Sequence, residues 1–489
     1  MQFRNSMPWV CTVGAALLLA ACGGGSGSSE PAPPVAPAAD RIEPFDPDLA
    51  GAAKSAAVAP HAGDRAPQAT PVRLGPLAAA ALQTKAASAP GPGVRQQIGV
   101  ARSVAATATP AGLMAQLQWQ ATERGTQRAA IRFEAEGAHG VRLGVRVRAL
   151  PAGAMLRFYA QGGEAVFEVS GEEVLRTIER NLQAGDADDA ARTYWSPDFG
   201  SAETTLELEL PARADRAQLD IAVPTLSHFF ISPERAAEAS LAKVGEAASC
   251  NIDVSCKPEF SSESRSVARM LFVDNGSSYL CTGTLLNDVQ ASGTPYFLSA
   301  NHCIATQSVA SSLVTDWFYR SAACNSTVLN PGARRLNGGA TLLYASAATD
   351  TSFMRLNAAP PAGIVFAGSY FGAVAAGASM AGLHHPWGDL QKLSQGAVVQ
   401  FSNCSSETQT CQDSTPQDGR FFNVGWSAGT TEKGSSGSGL FFPIGSRRYV
   451  VGQLFGGVAS CTDPAGLDRY GRFDLAFQSA LKNWLKPAP

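Results

Sequence analysis

Eight of the ten cysteines in this 489-residue chain fall after residue 249: Cys250, Cys256, Cys281, Cys303, Cys324, Cys404, Cys411 and Cys461. An even set confined to one half of a chain reads as disulfides formed in an oxidising compartment, because cytosolic thiols are kept reduced. Zinc would ask for Cys-x-x-Cys or interleaved histidines, and the region has neither spacing, so no metal and no cofactor is expected. Eight cysteines allow on the order of a hundred connectivities, so spacing alone assigns no partners. The same region is cut into short apolar runs by Gly, Asn and Pro, among them "ARMLFVD", "YLCTGTLL", "PYFLSANHC", "FFNVGW", "GLFFPIG" and "RRYVVGQLFGG". Such runs predict an all-β domain over 250–489, closed by one late helix in "DLAFQSALKNWL" with Leu475, Phe477, Leu481, Trp484 and Leu485 toward the core.

The rest of the chain divides by composition. Arg4, the apolar run from Val10 to Leu19 and Leu19-Ala20-Ala21-Cys22 read as an export signal over 1–22, too short to span a bilayer. Its last four residues resemble the bacterial lipobox, which implies lipidation of Cys22 and an exported, outer-membrane-anchored lipoprotein facing the periplasm or the outside. Residues 23–95 are rich in Pro, Ala, Gly and Ser and read as a tether, since such a segment buries too little to offset ordering. Over 96–232, "AAIRFEAEG", "VRLGVRVRAL", "MLRFYAQ", "AVFEVSG" and "TTLELELP" alternate apolar and polar residues, the period of half-buried strands. A β-sandwich follows, interrupted by a helix at "EEVLRTIERNL" and lacking any catalytic constellation, a pro-region or accessory domain. Residues 233–249 read as an exposed connector in which Lys243 is a candidate processing site. A net charge of −3 gives no case for nucleic acid. Protein or peptide substrates, a monomer, and contact with a membrane only through Cys22 are expected.

"TEKGSSGSGLFF" over 431–442 poses the functional question, because Gly/Ser runs are most often linkers. A serine nucleophile needs a base and a carboxylate to orient that base. His302, His384 and His385 are the three histidines after residue 249. "CTGTLLN" followed by "FLSANHC" around His302, "ATDTSFMRLN" around Asp350, and "GSSGSG" around Ser436 resemble the motifs of chymotrypsin-like serine proteases, in that family's chain order. The resemblance implies a double β-barrel with His302 as base, Asp350 as its partner, Ser436 as nucleophile, and an oxyanion hole from the N–H groups of Gly434 and Ser436. His384 and His385 point to opposite faces of a strand and are expected to serve a structural role at the cleft edge rather than a metal site.

"SCNIDVSC", "ACNSTV", "HHP", "GQLFGG" and "YGRF" further resemble the bacterial lysyl endopeptidases over about 248–489. That resemblance implies disulfides Cys250–Cys461, Cys256–Cys324 and Cys281–Cys303, leaving Cys404 to pair with Cys411. It also implies cleavage after lysine, arginine less well, with Asp468 as the charge in the pocket, Phe455 and Gly456 on one wall, and Glu432 as a second candidate on the other. Two residues depart from the pattern. Ser435 stands where many chymotrypsin-like proteases carry an aspartate that pairs with a new N-terminus, which argues against that activation route. Phe455 replaces a histidine lining the cleft and cannot donate a hydrogen bond.

Overall fold

The computed structural model describes residues 40–49, 69–78, 93–232, 247–405 and 407–488, so Cys22 and Lys243 lie outside the described residues. The N-terminal region is a sandwich of two sheets. One contains Thr70–Leu74, Gln120–Ala121, Thr126–Ala135, Met155–Tyr159, Val166–Ser170 and Glu203–Pro211; the other contains Gly99–Ser103, Gly140–Ala149, Thr193–Trp195 and Asp220–Phe229. The alternating strands behave as their period demands. Ile131, Phe133, Leu206 and Leu208 of one sheet share a buried core with Leu143, Val145, Val147 and Ile221 of the other. The helix Gly171–Gln183 starts at Ser170, whose hydroxyl accepts the Glu173 N–H at 3.1 Å.

The C-terminal region forms two β units. In the first, Ala340–Ser346, Thr351–Leu356, Tyr296–Ala300, Ser277–Leu286, Val267–Asp274, Val314–Trp317 and Arg334–Leu336 follow one another in space. In the second, Arg447–Gly457, Gly439–Ile444, Ser379–His384, Lys392–Ser405, Phe421–Ala428 and Leu467–Arg472 form a ring, closed because the last strand pairs with the first. Closure removes the exposed sheet edge that an open set of six strands would leave. The second unit is thus a closed six-stranded barrel, and the first sets seven strands beside it. Leu286, Leu298 and Phe353 of one unit and Leu383, Leu393, Phe441 and Val450 of the other meet in a common core at the seam.

The terminal helix seals that core. It buries Phe473, Phe477, Leu481 and Leu485, whereas Leu475 and Trp484 are only partly covered. Its middle is a π-helical turn at Phe477–Leu481, and the wider turn keeps residues four apart stacked on one face.

The reading of 23–95 as a tether fails in two places. Arg41–Ile42 adds antiparallel to Gly368–Tyr370, and Ile42 enters the seam core. Thr70–Leu74 runs parallel to Thr126–Ala135 with Val72 in the sandwich core. The sandwich in turn packs on the first barrel unit, where Ile98 and Phe229 bury against Leu271, Leu280 and Val314. No helix among the described residues is long and apolar enough to cross a membrane.

Candidate active site

The strand Tyr296–Ala300 delivers His302 at its end, and the Cys281–Cys303 disulfide ties the residue after it to the neighbouring strand. All four bridges join the pairs the resemblance implies: Cys250–Cys461, Cys256–Cys324, Cys281–Cys303 and Cys404–Cys411. Asp350 is 1% exposed, and its carboxylate accepts two bonds from His302: the backbone N–H at 2.8 Å and Nδ1 at 2.7 Å. A carboxylate on Nδ1 fixes the tautomer that leaves Nε2 free to take a proton. Asp350 itself adopts φ 50°, a region side chains resist, and its surroundings over-determine it. Its carbonyl accepts the Asn301 N–H at 3.0 Å, and Gln453 Nε2 bonds the carbonyls of Thr349 (2.7 Å) and Asp350 (3.2 Å).

Ser436 reaches the same place from the second barrel. Its carbonyl accepts the N–H of Thr282, next to Cys281, and Gly437 N–H bonds the Leu454 carbonyl. Gly437 has φ 81°, and a Cβ there would meet Ser299 Oγ at 2.1 Å, so only glycine lets the loop lie this close to the strand that ends at His302. These backbone contacts tie the Ser436 loop to Thr282 and to the strand that precedes His302. Its hydroxyl makes no hydrogen bond to the imidazole among the described residues, and His302 is held from the Nδ1 side by Asp350. The N–H groups of Ser435, Gly437 and Ser438 are taken up by backbone carbonyls. Those of Gly434 and Ser436 have no such partner among the described residues, and Gly434 sits at φ 90°.

Below this loop lies Asp468, fully buried rather than solvated beside Arg469 and Arg472. Its Oδ2 accepts from Trp426 Nε1 at 2.7 Å and Thr431 Oγ1 at 2.6 Å, while Arg472 is paired instead with Asp474. Burial pushes the carboxyl up to about 6, against the lowering effect of those two donors. A Cβ on Gly457 would strike Asp468 Oδ1 at 2.3 Å, which places the carboxylate against the Gly456–Gly457 backbone. Glu432, the second candidate for the pocket charge, has both carboxylate oxygens engaged by donors of the fold. One oxygen accepts from Ala248 N–H (2.9 Å) and Asn251 Nδ2 (2.8 Å), the other from Trp387 Nε1 (3.1 Å), so it anchors the start of the protease region beside Cys250. Phe455 is buried with its ring edge-on to His302 at 5.8 Å and against Phe421 at 5.4 Å.

His384 and His385 lie wholly inside the fold, not at a cleft edge. His384 Nδ1 meets Ser435 Oγ at 2.8 Å and Nε2 meets Ser394 Oγ at 3.0 Å; Ser394 donates on to the Thr430 carbonyl. Burial holds both rings neutral, each pushed down to about 3. Ser435 therefore finds its partner within the fold, a role for His384 that no spacing announced. The cluster of Cys281, His302 and Cys303 has metal-like proximity, but its two sulfurs are bonded to each other and offer no thiolate.

The lysyl endopeptidase N-terminal domain family matches residues 73–230 and the lysyl endopeptidase C-terminal domain family matches residues 244–471. A lysyl endopeptidase of Pseudomonas aeruginosa is 33% identical over 390 residues, 77% of this chain and 78% of that protein. This chain belongs to the lysyl endopeptidase family. It is accordingly a serine endopeptidase. Among solved structures, the HtrA-type protease AlgW with tripeptide is 15% identical with a TM-score of 0.30, over 47% of this chain and 62% of its own length. An inactivated protease paralogue of the scabies mite is 14% identical with a TM-score of 0.33, over 47% of this chain and 97% of its own.

Proposed function

We propose that this lysyl endopeptidase relative hydrolyses peptide bonds with Ser436 as nucleophile, His302 as general base and Asp350 as the group that orients and stabilises the imidazole. Ser436 Oγ attacks the scissile carbonyl as His302 Nε2 takes its proton. The N–H groups of Gly434 and Ser436 receive the oxyanion, and the imidazolium returns the proton to the leaving amine. The reading is carried by the buried 2.7 Å bond from His302 to Asp350, set beside a loop with two unengaged N–H groups. A fluorophosphonate should label the wild-type chain and not Ser436→Ala, and that variant should keep its thermal unfolding while losing amide hydrolysis. Substantial peptidase activity in a folded Ser436→Ala chain would sink the assignment.

We further propose cleavage after lysine, with arginine accepted less well. The buried Asp468 carboxylate, held by neutral donors alone at Oδ2, supports it. A buried charge whose direct hydrogen-bond donors are neutral is costly, and a substrate ammonium would supply a charged one. Asp468→Asn should lose the preference while still reacting with a fluorophosphonate. Cuts after Glu or large apolar residues in a peptide mixture would end this reading. Export, lipidation at Cys22 and self-processing after Lys243 are proposed from the sequence; mass spectrometry of the secreted chain and N-terminal sequencing, expected to give Val244, test them.

A further inference from the structure

A strand from the N-terminal half crosses the cleft. Gly93 donates its N–H to the Phe455 carbonyl at 2.9 Å, and it lies so close that a Cβ there would come within 2.9 Å of the Phe455 ring. Phe455 is the residue that faces His302. From there the chain passes to the first barrel unit, where Gln96 and Gln97 pair antiparallel with Leu280 and Tyr279, and Ile98 N–H bonds the Ser278 carbonyl at 2.9 Å. The segment thus bridges both barrels over the seam that holds His302 and Ser436, in the extended form by which peptides add to a sheet edge.

Its one charged side chain is held on every side. Arg95 pairs with Asp274, donates from Nη1 to the Cys303 carbonyl at 3.2 Å, and lays its guanidinium over the Tyr279 ring at 3.9 Å from the centroid. Cys303 follows His302 and is bridged to Cys281, which follows Leu280, so Arg95 sits on the first unit next to His302, whereas Gly93 sits against Phe455, which precedes the Gly456–Gly457 backbone over Asp468. With the acyl half of a substrate over Asp468, the half that leaves as an amine lies here.

We propose that Asp274, Tyr279 and the Cys303 carbonyl form a subsite for an arginine side chain on the leaving-group side of the scissile bond. In the whole chain Arg95 fills that subsite, and the strand it anchors covers the cleft until the N-terminal region is released. This rests on the reading of Ser436 and His302 as the reacting pair. Arginine suits the site better than lysine because a planar guanidinium can stack on a ring and donate sideways at once. The covering strand is a poor substrate as well, since Gly93 has no side chain to reach Asp468 and so gains none of the binding that would drive cleavage.

The test exposes the full-length chain to a fluorophosphonate and follows labelling of the full-length band on a gel. Arg95→Ala should label about tenfold faster than wild type, Asp274→Asn should follow it from the other side of the pair, and Arg95→Lys should fall between. Equal rates in all four full-length bands overturn the inference. No label on any band, cut or uncut, overturns the serine reading instead. In the Arg95→Ala chain, peptides with arginine one or two residues after the scissile lysine should be cut about tenfold better than alanine-matched peptides. A flat series also overturns the subsite.

Discussion

Asp468 is fully buried, with neutral donors on its Oδ2, and that placement costs stability. Its carboxyl is pushed up to about 6 from an ordinary value of 3.8, with burial the largest cause. The folded chain therefore keeps a proton that the unfolded chain gives up between those values, and Asp468 favours the fold at low pH and opposes it above about 6. Asp468→Asn should raise the unfolding temperature at pH 8 while abolishing lysine preference, the usual opposition of stability and function at a site. The same titration predicts a pH signature. With Asp468 neutral below about 6, the ratio of kcat/KM for a lysine substrate to that for an uncharged analogue should fall as pH drops through 6. Taking the ratio cancels every effect of pH that is common to both substrates. A ratio constant from pH 8 to 5 would remove Asp468 from the pocket. Asp350 gives a sharper test of the pair. Asp350→Asn keeps the shape but presents an amide to Nδ1, so kcat should fall by about 10⁴ with little change in unfolding temperature.

The Gly434–Ser438 loop depends on elements beneath it, and it is there that the sequence was hardest to read. His384 at the end of Ser379–His384 holds Ser435, so the loop is braced from below by a neutral imidazole in place of an ion pair. Ser435→Ala would leave His384 Nδ1 buried and unpaired, a cost of about 1–3 kcal/mol, and should lower kcat more than it changes KM because it disturbs the oxyanion donors. Equal losses of kcat/KM through KM alone would contradict that brace. His384 and His385 also tie this region to pH. Both are pushed down to about 3, so the unfolded chain binds two protons that the folded chain refuses, and stability is full above 6.5 and declines as pH falls toward 3. The unfolding temperature should drop from pH 7 to pH 4, and a flat profile would show the histidines to be accessible. The strands and the His302–Asp350 contact were legible because alternation and chain order are patterns that the sequence displays directly. The pairing of Ser435 with His384 was not, since it joins residues 51 apart through burial alone. Nor were Ile42 and Val72, which lie in a stretch whose Pro/Ala/Gly/Ser average masks short apolar and strand-forming pieces such as "RIEPF" and "TPVRL". Glu432 misled for the opposite reason, because its position beside the nucleophile loop says nothing of the amides that already occupy it.

At the scale of the whole molecule, the sandwich and the protease region are joined by more than the backbone. Ile98 and Phe229 bury against Leu271, Leu280 and Val314, and Ser227 and Ser278 hydroxyls meet at 2.8 Å at the same place. Further along, the fully buried Arg142 donates to the Ser312 carbonyl at 2.8 Å, and Arg335 bridges Asp198 of the sandwich to Asp316 of the first barrel at 3.1 and 2.7 Å. An apolar centre flanked by desolvated charged groups is the anatomy of an interface that persists once the chain is cut. With a site-specific protease sequence inserted in 233–246, the cut halves should co-elute by size exclusion in moderate salt. Phe229→Ala deletes the largest ring of the apolar centre, and a loss of about 3–5 kcal/mol there would weaken the association more than a hundredfold. Asp198→Asn, at the charged flank, should act mainly by making the complex more salt-sensitive, because Arg335 keeps Asp316. Cut wild-type halves that separate at once without denaturant would show that the interface needs the covalent link, and that a single cut frees the cleft. Halves that stay together until Phe229 is removed would place the controlling step after the cut, in the release or destruction of the sandwich.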